Sequence, residues 1–352
     1  MPQQPLPTTN HGLLKISPNQ ALPNITSLTP LPIPKLRPSY ILVKTIAVAL
    51  NPTDWQTLDE KFKPGTEYSL LGCDASGIVV AVGEDVEKGF RRVSMLREEL
   101  RVGNDLEPED GCFAEYIVMK GDLAMHIPPN LSFEEAATLP CGLITVGLGF
   151  YRHLELPFPN LLRSPVENQA EKISEEEEEQ EPKWILIYGG SSATGTLAIQ
   201  FAKLSGLKVI TTASPRNFEL LRGLGAEYLF DYHDPECGAK INALTNNALY
   251  LVFDTIATAS SASICASAIS TLPSSPQKKI YVNLMGIPFP RSDVTNIFFL
   301  GYTVRGEAFE IEGERWEAVP EDFELGKRFM GLCENLLREG KIKPHPVKML
   351  EG

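Results

Sequence analysis

No apolar stretch in this chain reaches the roughly 18 residues that a membrane-spanning helix requires, and its first residues lack the basic–apolar pattern of a secretory signal. Neither membrane insertion nor export is expected, and the sequence reads as cytoplasmic. Cysteine is sparse. The six, Cys73, Cys112, Cys141, Cys237, Cys265 and Cys333, show no paired C-x-x-C spacing. That excludes a disulfide frame and a four-cysteine zinc lobe, and fits reduced thiols. Basic clusters are also missing. At a net charge of −13 the chain has no positive stripe for nucleic acid. The acidity is uneven: between Arg163 and Lys183 stand eight Glu against three Lys or Arg, which is −5 in 21 residues and −8 in the rest. A block such as Glu175 to Glu179 reads as a solvated insert, with partner docking as the alternative.

What is present is ordinary for a soluble protein of two domains: 352 residues, 43% hydrophobic and 22% charged. Residues 1–37 are Pro-rich, which fits an edge strand and loops. Tyr40 to Leu50 reads as a strand broken by Asn51-Pro-Thr-Asp54. Leu70 to Gly83 is small, β-branched and glycine-punctuated, so it predicts tightly packed strands of a barrel-like domain, and Gly111 to Val118 predicts another. Ser132 with Glu135 three residues on is a capping box that opens a helix.

From Trp184 the texture changes. Strands are expected at 184–188, 207–212, 228–230, 250–254 and 279–284, with helical patterns between them, such as Phe218 to Leu224 and Ser261 to Ile269. This alternation predicts an α/β, doubly wound parallel sheet. Its first turn is the most informative stretch of the chain. The apolar run Trp184-Ile-Leu-Ile-Tyr188 feeds Gly189-Gly-Ser-Ser-Ala-Thr-Gly195, and an apolar helix follows. Such a turn offers unpaired N–H groups and a positive helix end to a pyrophosphate. It is not a clean G-x-G-x-x-G, because Ala193 stands where a second glycine often does. An NAD site would place Asp or Glu about 20 residues past the turn, to hold the ribose 2′-OH. Ser214, Pro215, Arg216 and Asn217 stand there instead. Hydroxyl, guanidinium and amide donors suit a 2′-phosphate, so the expected cofactor is NADPH.

Six motifs in order carry a family resemblance: Asn51-Pro-Thr-Asp54, Gly72-x-Asp-x-x-Gly77-x-Val-x-x-Val-Gly83, Gly111-x-Phe-Ala-Glu-Tyr116, Ala136-Ala-x-Leu-Pro140, Tyr188-Gly-Gly-Ser191 and Gly225-Ala-Glu-x-x-x-Asp231-Tyr232. Over about residues 35 to 350 the chain resembles the zinc-free branch of the medium-chain dehydrogenase/reductase superfamily. Within it, the chain is most similar to the trans-acting enoyl reductases that serve fungal polyketide synthases, the lovastatin type. The resemblance implies a GroES-like mostly-β catalytic domain over 1–150, a linker with the acidic insert over 151–183, and a Rossmann domain binding NADP over 184–320. A segment over 321–352 would return to the catalytic domain, shortened by about one helix and one strand.

The resemblance further implies hydride transfer from NADPH to the β-carbon of a carrier-bound α,β-unsaturated thioester. The partner would be a polyketide synthase, alone or as a hybrid with a nonribosomal peptide synthetase, visited by a monomeric reductase. Implied cofactor contacts are Thr53, Asp54, Trp55 and Gln56; Ser191, Ser192, Ala193 and Thr194; Ser214, Pro215, Arg216 and Asn217; Tyr232; and Leu284 with Met285. Implied substrate contacts are Thr138, Leu139, Pro140, Cys141, Gly142, Leu143, Ile144 and Thr145, then Tyr302, Thr303, Val304, Arg305 and Gly306. Pro140 to Thr145 reads equally as a helix start in a core, and Tyr232 equally as a packed ring. Zinc-dependent relatives bind their catalytic metal near the positions of Asn51 and Cys73. Asn51 is no thiolate, so no metal is expected, and Cys73 reads as a packing residue.

No general acid stands out among His126, His153, His233 and His345, and the catalytic residue stays unassigned. The chain departs from the family's pattern at Lys88 to Leu100, where the barrel wall is in question. It departs again at Gln56, where relatives carry Lys, and at Arg305, which would put charge beside the substrate channel. Two other functions therefore stay open: a zinc-free quinone or enone reductase acting on a free small molecule, and a degenerate homologue without activity.

Overall fold

The computed structural model of the protein describes residues 7–16, 25–59, 68–90, 94–98, 106–159, 183–273, 277–311 and 314–350. The glutamate block at 175–179 lies outside them. The chain forms two compact units: Met1–Leu148 with Gly301–Gly352, and Gly149–Leu300.

Unit 1 carries β1 (Asn10–Ile16), β2 (Ile25–Leu31), β3 (Tyr40–Ala49), α1 (Pro52–Asp59), β4 (Tyr68–Leu70), β5 (Asp74–Val82), β6 (Ser94–Glu98), β7 (Tyr116–Lys120), β8 (Met125–His126), α2 (Phe133–Ala137) and α3 (Pro140–Gly147). The strands make two antiparallel sheets, ordered β2-β1-β4 and β7-β3-β5-β6-β8. Leu14, Ile41, Val43, Leu70, Val79, Ile117 and Met119 form a core drawn from both sheets. The first four residues of β3 are buried, and from Lys44 onward the strand alternates. The change falls where the β7 register ends, at the pair Lys44–Tyr116. The questioned wall is present as backbone: β6 pairs with β5 on one side and β8 on the other. The capping box is formed as its spacing requires, with Glu135 N donating to Ser132 Oγ at 3.1 Å and Ser132 N to Glu135 Oε2 at 2.9 Å.

Unit 2 contains β9 (Trp184–Tyr188), α4 (Ala193–Leu204), β10 (Lys208–Thr212), α5 (Phe218–Leu224), β11 (Tyr228–Phe230), α6 (Cys237–Leu244), β12 (Leu251–Asp254), α7 (Ala259–Ala268), β13 (Ile280–Asn283) and β14 (Thr295–Phe298). The sheet order is β11-β10-β9-β12-β13-β14, and every pairing is parallel. This is the doubly wound order whose direction of growth reverses between its first and fourth strands, here β9 and β12. Five strands were legible as apolar runs between turn residues. The sixth, β14, is an edge strand with mostly exposed side chains, so it lacks the apolar signal of a buried strand.

The returning segment holds β15 (Phe309–Ile311), β16 (Glu314–Trp316) and α8 (Pro320–Arg338). α8 buries Gly326, Phe329, Met330, Cys333, Leu336 and Leu337, the three- and four-residue spacing of one helix face. The sequence reading grouped residues 301–320 with the Rossmann domain; they belong to unit 1. The cause is side-chain chemistry beyond β14: Thr303 Oγ1 donates to Asp322 of α8 at 2.5 Å, and Val304 is buried. Among the described residues no helix is long and apolar enough to cross a membrane.

Candidate functional site

Each unit gathers one set of candidate residues. In unit 2 they lie at the C-terminal ends of the parallel strands. β9 is buried from Ile185 to Tyr188 and ends at Gly189, whose φ of +82° is one a side chain rarely adopts. Gly195 sits in the first turn of α4, where a Cβ would overlap the Gly189 carbonyl oxygen and the Gly190 backbone. The turn and the helix start thus touch through backbone alone. Ser192 caps α4, accepting from Gly195 N at 2.9 Å. Its Oγ also meets Thr255 Oγ1 at 2.9 Å, which donates on to Tyr188 O. Ser192 is therefore occupied in shaping the cradle. Ser191, Ala193 and Thr194 reach solvent, and the first-turn N–H groups of α4 have no helical carbonyl to bond.

Beside the cradle, β10 leads through Ala213 to Ser214, and β11 leads through Asp231 to Tyr232. Because the strands are neighbours, Ser214 Oγ comes within 3.3 Å of Tyr232 Oη. Pro215, Arg216 and Asn217 form a 3-10 turn in which Arg216 is exposed. The acid that stands nearest this corner in sequence, Asp231, is turned toward His233: its Oδ1 accepts from His233 N at 3.0 Å and lies 2.8 Å from Nδ1. Hydrogen bonds from His233 hold the Asp231 carboxyl below its usual range. Leu284 and the exposed Met285 follow β13.

In unit 1 three segments converge on one buried carboxylate, Asp74. Its Oδ2 accepts from Asn51 Nδ2 at 2.8 Å, and its Oδ1 from Cys141 N, at the start of α3, at 2.9 Å. Burial pushes the Asp74 carboxyl up to about 8, against the two donors that lower it. Asp54 is also buried and raised by burial, though Asn51 N donates to it at 2.6 Å. Thr53 Oγ1 lies 3.4 Å from Cys73 Sγ. The Asn51 turn, the head of β5 and the head of α3 are thereby one hydrogen-bonded unit.

Comparison with known proteins places this geometry. Residues 37–129 match the family described as alcohol dehydrogenase GroES-like domain, and residues 193–271 the family described as zinc-binding dehydrogenase. Trans-enoyl reductase resD of Aspergillus sclerotiorum is 43% identical over 326 residues, covering 91% of this chain and 88% of that one. Trans-enoyl reductase TOXD of Cochliobolus carbonum is 44% identical over 297 residues, covering 84% and 92%.

The chain belongs to the trans-enoyl reductases.

The fold likeness extends to the CurK enoyl reductase, with a TM-score of 0.67 at 19% identity over 96% of this chain and 91% of that one. As a trans-enoyl reductase of the dehydrogenase/reductase superfamily, the chain is a dinucleotide-dependent oxidoreductase. Among the described residues no three His, Cys, Asp or Glu side chains gather as a metal site.

The anticipated substrate residues fall unevenly in this reductase. Of Thr138 to Thr145, only Thr138 and Cys141 are partly exposed. Leu139, Leu143 and Ile144 are core residues, and Thr145 Oγ1 bonds its own helix at Cys141 O. The stretch is chiefly a buried helix start that presents two residues. Among 302–306, Tyr302, Thr303 and Gly306 reach solvent, whereas Val304 is buried.

Arg305 corrects an expectation. Its charge does not line a channel; it is 7% exposed and pairs with Asp110 at 2.8 Å, with Tyr40 Oη 3.0 Å away. Arg37 and Lys120 complete the cluster, on Asp110 and Glu307. The network fastens the returning segment to β3 and β7. Arg305→Met is expected to cost about 3–5 kcal/mol of stability, the scale of breaking a buried ion pair. Chemical denaturation with and without Asp110→Asn checks it, since the pair should show strong non-additivity.

Two side chains that shape the unit 2 site were missed. Asp254 is fully buried at the end of β12, accepting from Ile256 N and Ala257 N on Oδ1 and from Ser261 Oγ and Tyr281 Oη on Oδ2. It pins the loop that packs on Gly189. Asn283, at the end of β13, accepts from Met285 N and Ile287 N and fixes the next loop. The only sequence signal is an acid or amide ending an apolar strand.

Proposed function

We propose that this enzyme uses NADPH to reduce the double bond of an α,β-unsaturated thioester carried by a polyketide synthase. The observation that carries the cofactor choice is the corner at the ends of β10 and β11. It offers the Ser214 hydroxyl, an exposed Arg216 and the Tyr232 hydroxyl, while the Asp231 carboxylate is engaged by His233. A 2′-phosphate is met there by donors and a guanidinium. The pyrophosphate fits the first turn of α4, where the absent Cβ atoms of Gly189 and Gly195 let backbone approach backbone. Thr53, Asp54, Trp55 and Gln56, with Leu284 and Met285, complete the proposed cofactor contacts.

When bound, NADPH supplies a hydride to the β-carbon of the thioester. The chain's own contribution is to orient. Asn51, Asp74 and the Cys141 N–H hold the Asn51 turn against the head of α3, so Thr138 and Cys141 are presented from a rigid support. The names of its relatives, trans-enoyl reductases, support reduction of an enoyl group; the carrier-bound thioester and the synthase as partner rest on the family resemblance, and this reductase would visit the synthase as a monomer.

Arg216→Glu is expected to raise KM for NADPH about tenfold or more, the scale of one charge-assisted contact, and to leave KM for NADH nearly unchanged. An unaltered KM for NADPH overturns the 2′-phosphate assignment. Rates on a carrier-bound crotonyl thioester and on a free quinone test the substrate class, which a much faster quinone would overturn.

A further inference from the structure

Two thiols meet inside the unit 1 site. The Cys73 thiol is fully buried and in hydrogen-bonding contact with that of Cys141. The approach is built into the backbone, because Asp74, next to Cys73, holds the Cys141 N–H at 2.9 Å. The pair is asymmetric. Of the six cysteines, all among the described residues and none in a disulfide, Cys73, Cys112, Cys237, Cys265 and Cys333 are buried and Cys141 is partly exposed. An oxidant arriving from solvent therefore meets Cys141 first. The contact with Cys141, burial, and the carboxylates of Asp74 and Asp54 push the Cys73 thiol well up, so it is inert toward solvent oxidants by itself.

We propose that Cys73 and Cys141 are a peroxide-oxidisable pair in which Cys141 is the thiol attacked and Cys73 the resolving thiol. In the first step the Cys141 sulfur attacks one peroxide oxygen; the O–O bond breaks, Cys141 becomes the sulfenic acid, and hydrogen peroxide leaves as water. In the second step the Cys73 sulfur attacks the Cys141 sulfur. The S–S bond forms, the S–O bond breaks, and the Cys73 proton departs with the hydroxide as a second water. The peroxide is reduced by two electrons and the dithiol oxidised by two. A dithiol reductant reverses the link.

Closing the bond ties the second residue of α3 to the head of β5. On the reading that Thr138 and Cys141 border the substrate, enoyl reduction then falls by about fivefold or more, and dithiothreitol restores it.

The test treats purified full-length protein with hydrogen peroxide and maps its peptides without reduction. The expected result is a Cys73–Cys141 cross-linked peptide, absent after dithiothreitol. In Cys73→Ser, dimedone should instead trap a sulfenic acid on Cys141. In Cys141→Ser, which does not alter the buried partner, Cys73 should stay reduced. Cys141 recovered as sulfinic acid with Cys73 still free, in the unsubstituted protein, overturns the proposal. A cross-link that forms while enoyl reduction is unchanged upholds the thiol site and overturns the placement of Thr138 and Cys141 beside the substrate.

Discussion

Gly195→Val is expected to raise the dissociation constant for NADPH by on the order of 100-fold, equivalent to about 2.7 kcal/mol. The position tolerates no Cβ, because the Gly189 carbonyl oxygen and the Gly190 backbone occupy that space. Overlap with backbone cannot be relieved by a rotamer change, so the turn and the head of α4 separate, at a typical overpacking cost of about 1–3 kcal/mol. The same movement takes the first-turn N–H groups off the pyrophosphate, which relies on their direction. Fluorescence titration with NADPH measures the loss, and circular dichroism verifies that the parallel sheet persists. Gly223→Ala is the control. It lies on the exposed side of α5 with open space around its missing Cβ, and should leave binding unchanged while stabilising the helix by about 0.5–1 kcal/mol. A dissociation constant for Gly195→Val within threefold of the parent would show that the cradle does not hold the cofactor.

Asp74→Ala should lower the unfolding free energy by roughly 2–5 kcal/mol at pH 6, since Asn51 Nδ2 and Cys141 N each lose a buried acceptor worth about 1–3 kcal/mol. Asp74→Asn separates hydrogen bonding from charge. The Asn51 amide can turn to offer its oxygen to the new amide, while the new carbonyl still accepts from Cys141 N. The pH dependence then carries the sign of the burial effect. The folded Asp74 carboxyl keeps its proton up to about 8, whereas the unfolded one releases it near its ordinary 3.8. Between those values the folded state binds more protons, so Asp74 makes stability fall as pH rises from about 4 to about 8. The Asn variant lacks this slope. Its melting temperature should therefore gain on that of the parent steadily between pH 5 and pH 8, and a gap independent of pH would mean that Asp74 is ionised throughout.

These two expectations concern features of different legibility. The cradle around Gly195 was readable because its parts are local: an apolar strand, a small-residue turn and an apolar helix lie within one short run of chain. The capping box at Ser132 was readable for the same reason. The edge strand β14 was not, because an exposed strand has no apolar pattern. Asp74 stood within a recognisable motif, yet nothing in Gly72-Cys-Asp-Ala says that its carboxylate receives Asn51 from one side and Cys141 from the other.

By itself, then, the sequence determined the α/β alternation, the phosphate-binding turn, the donors in place of an acid after β10, and membership of the reductase family. Each depends on residues near one another in the chain or on motifs in order. Only the tertiary structure decided which distant groups meet. It put Ser214 against Tyr232 because β10 and β11 are neighbours, and it joined Asn51, Asp74 and Cys141 at one buried carboxylate. It also withdrew Arg305 into an ion pair with Asp110. In the last two, burial makes each polar group find a partner; in all three, strand pairing and the returning segment select which group lies within reach.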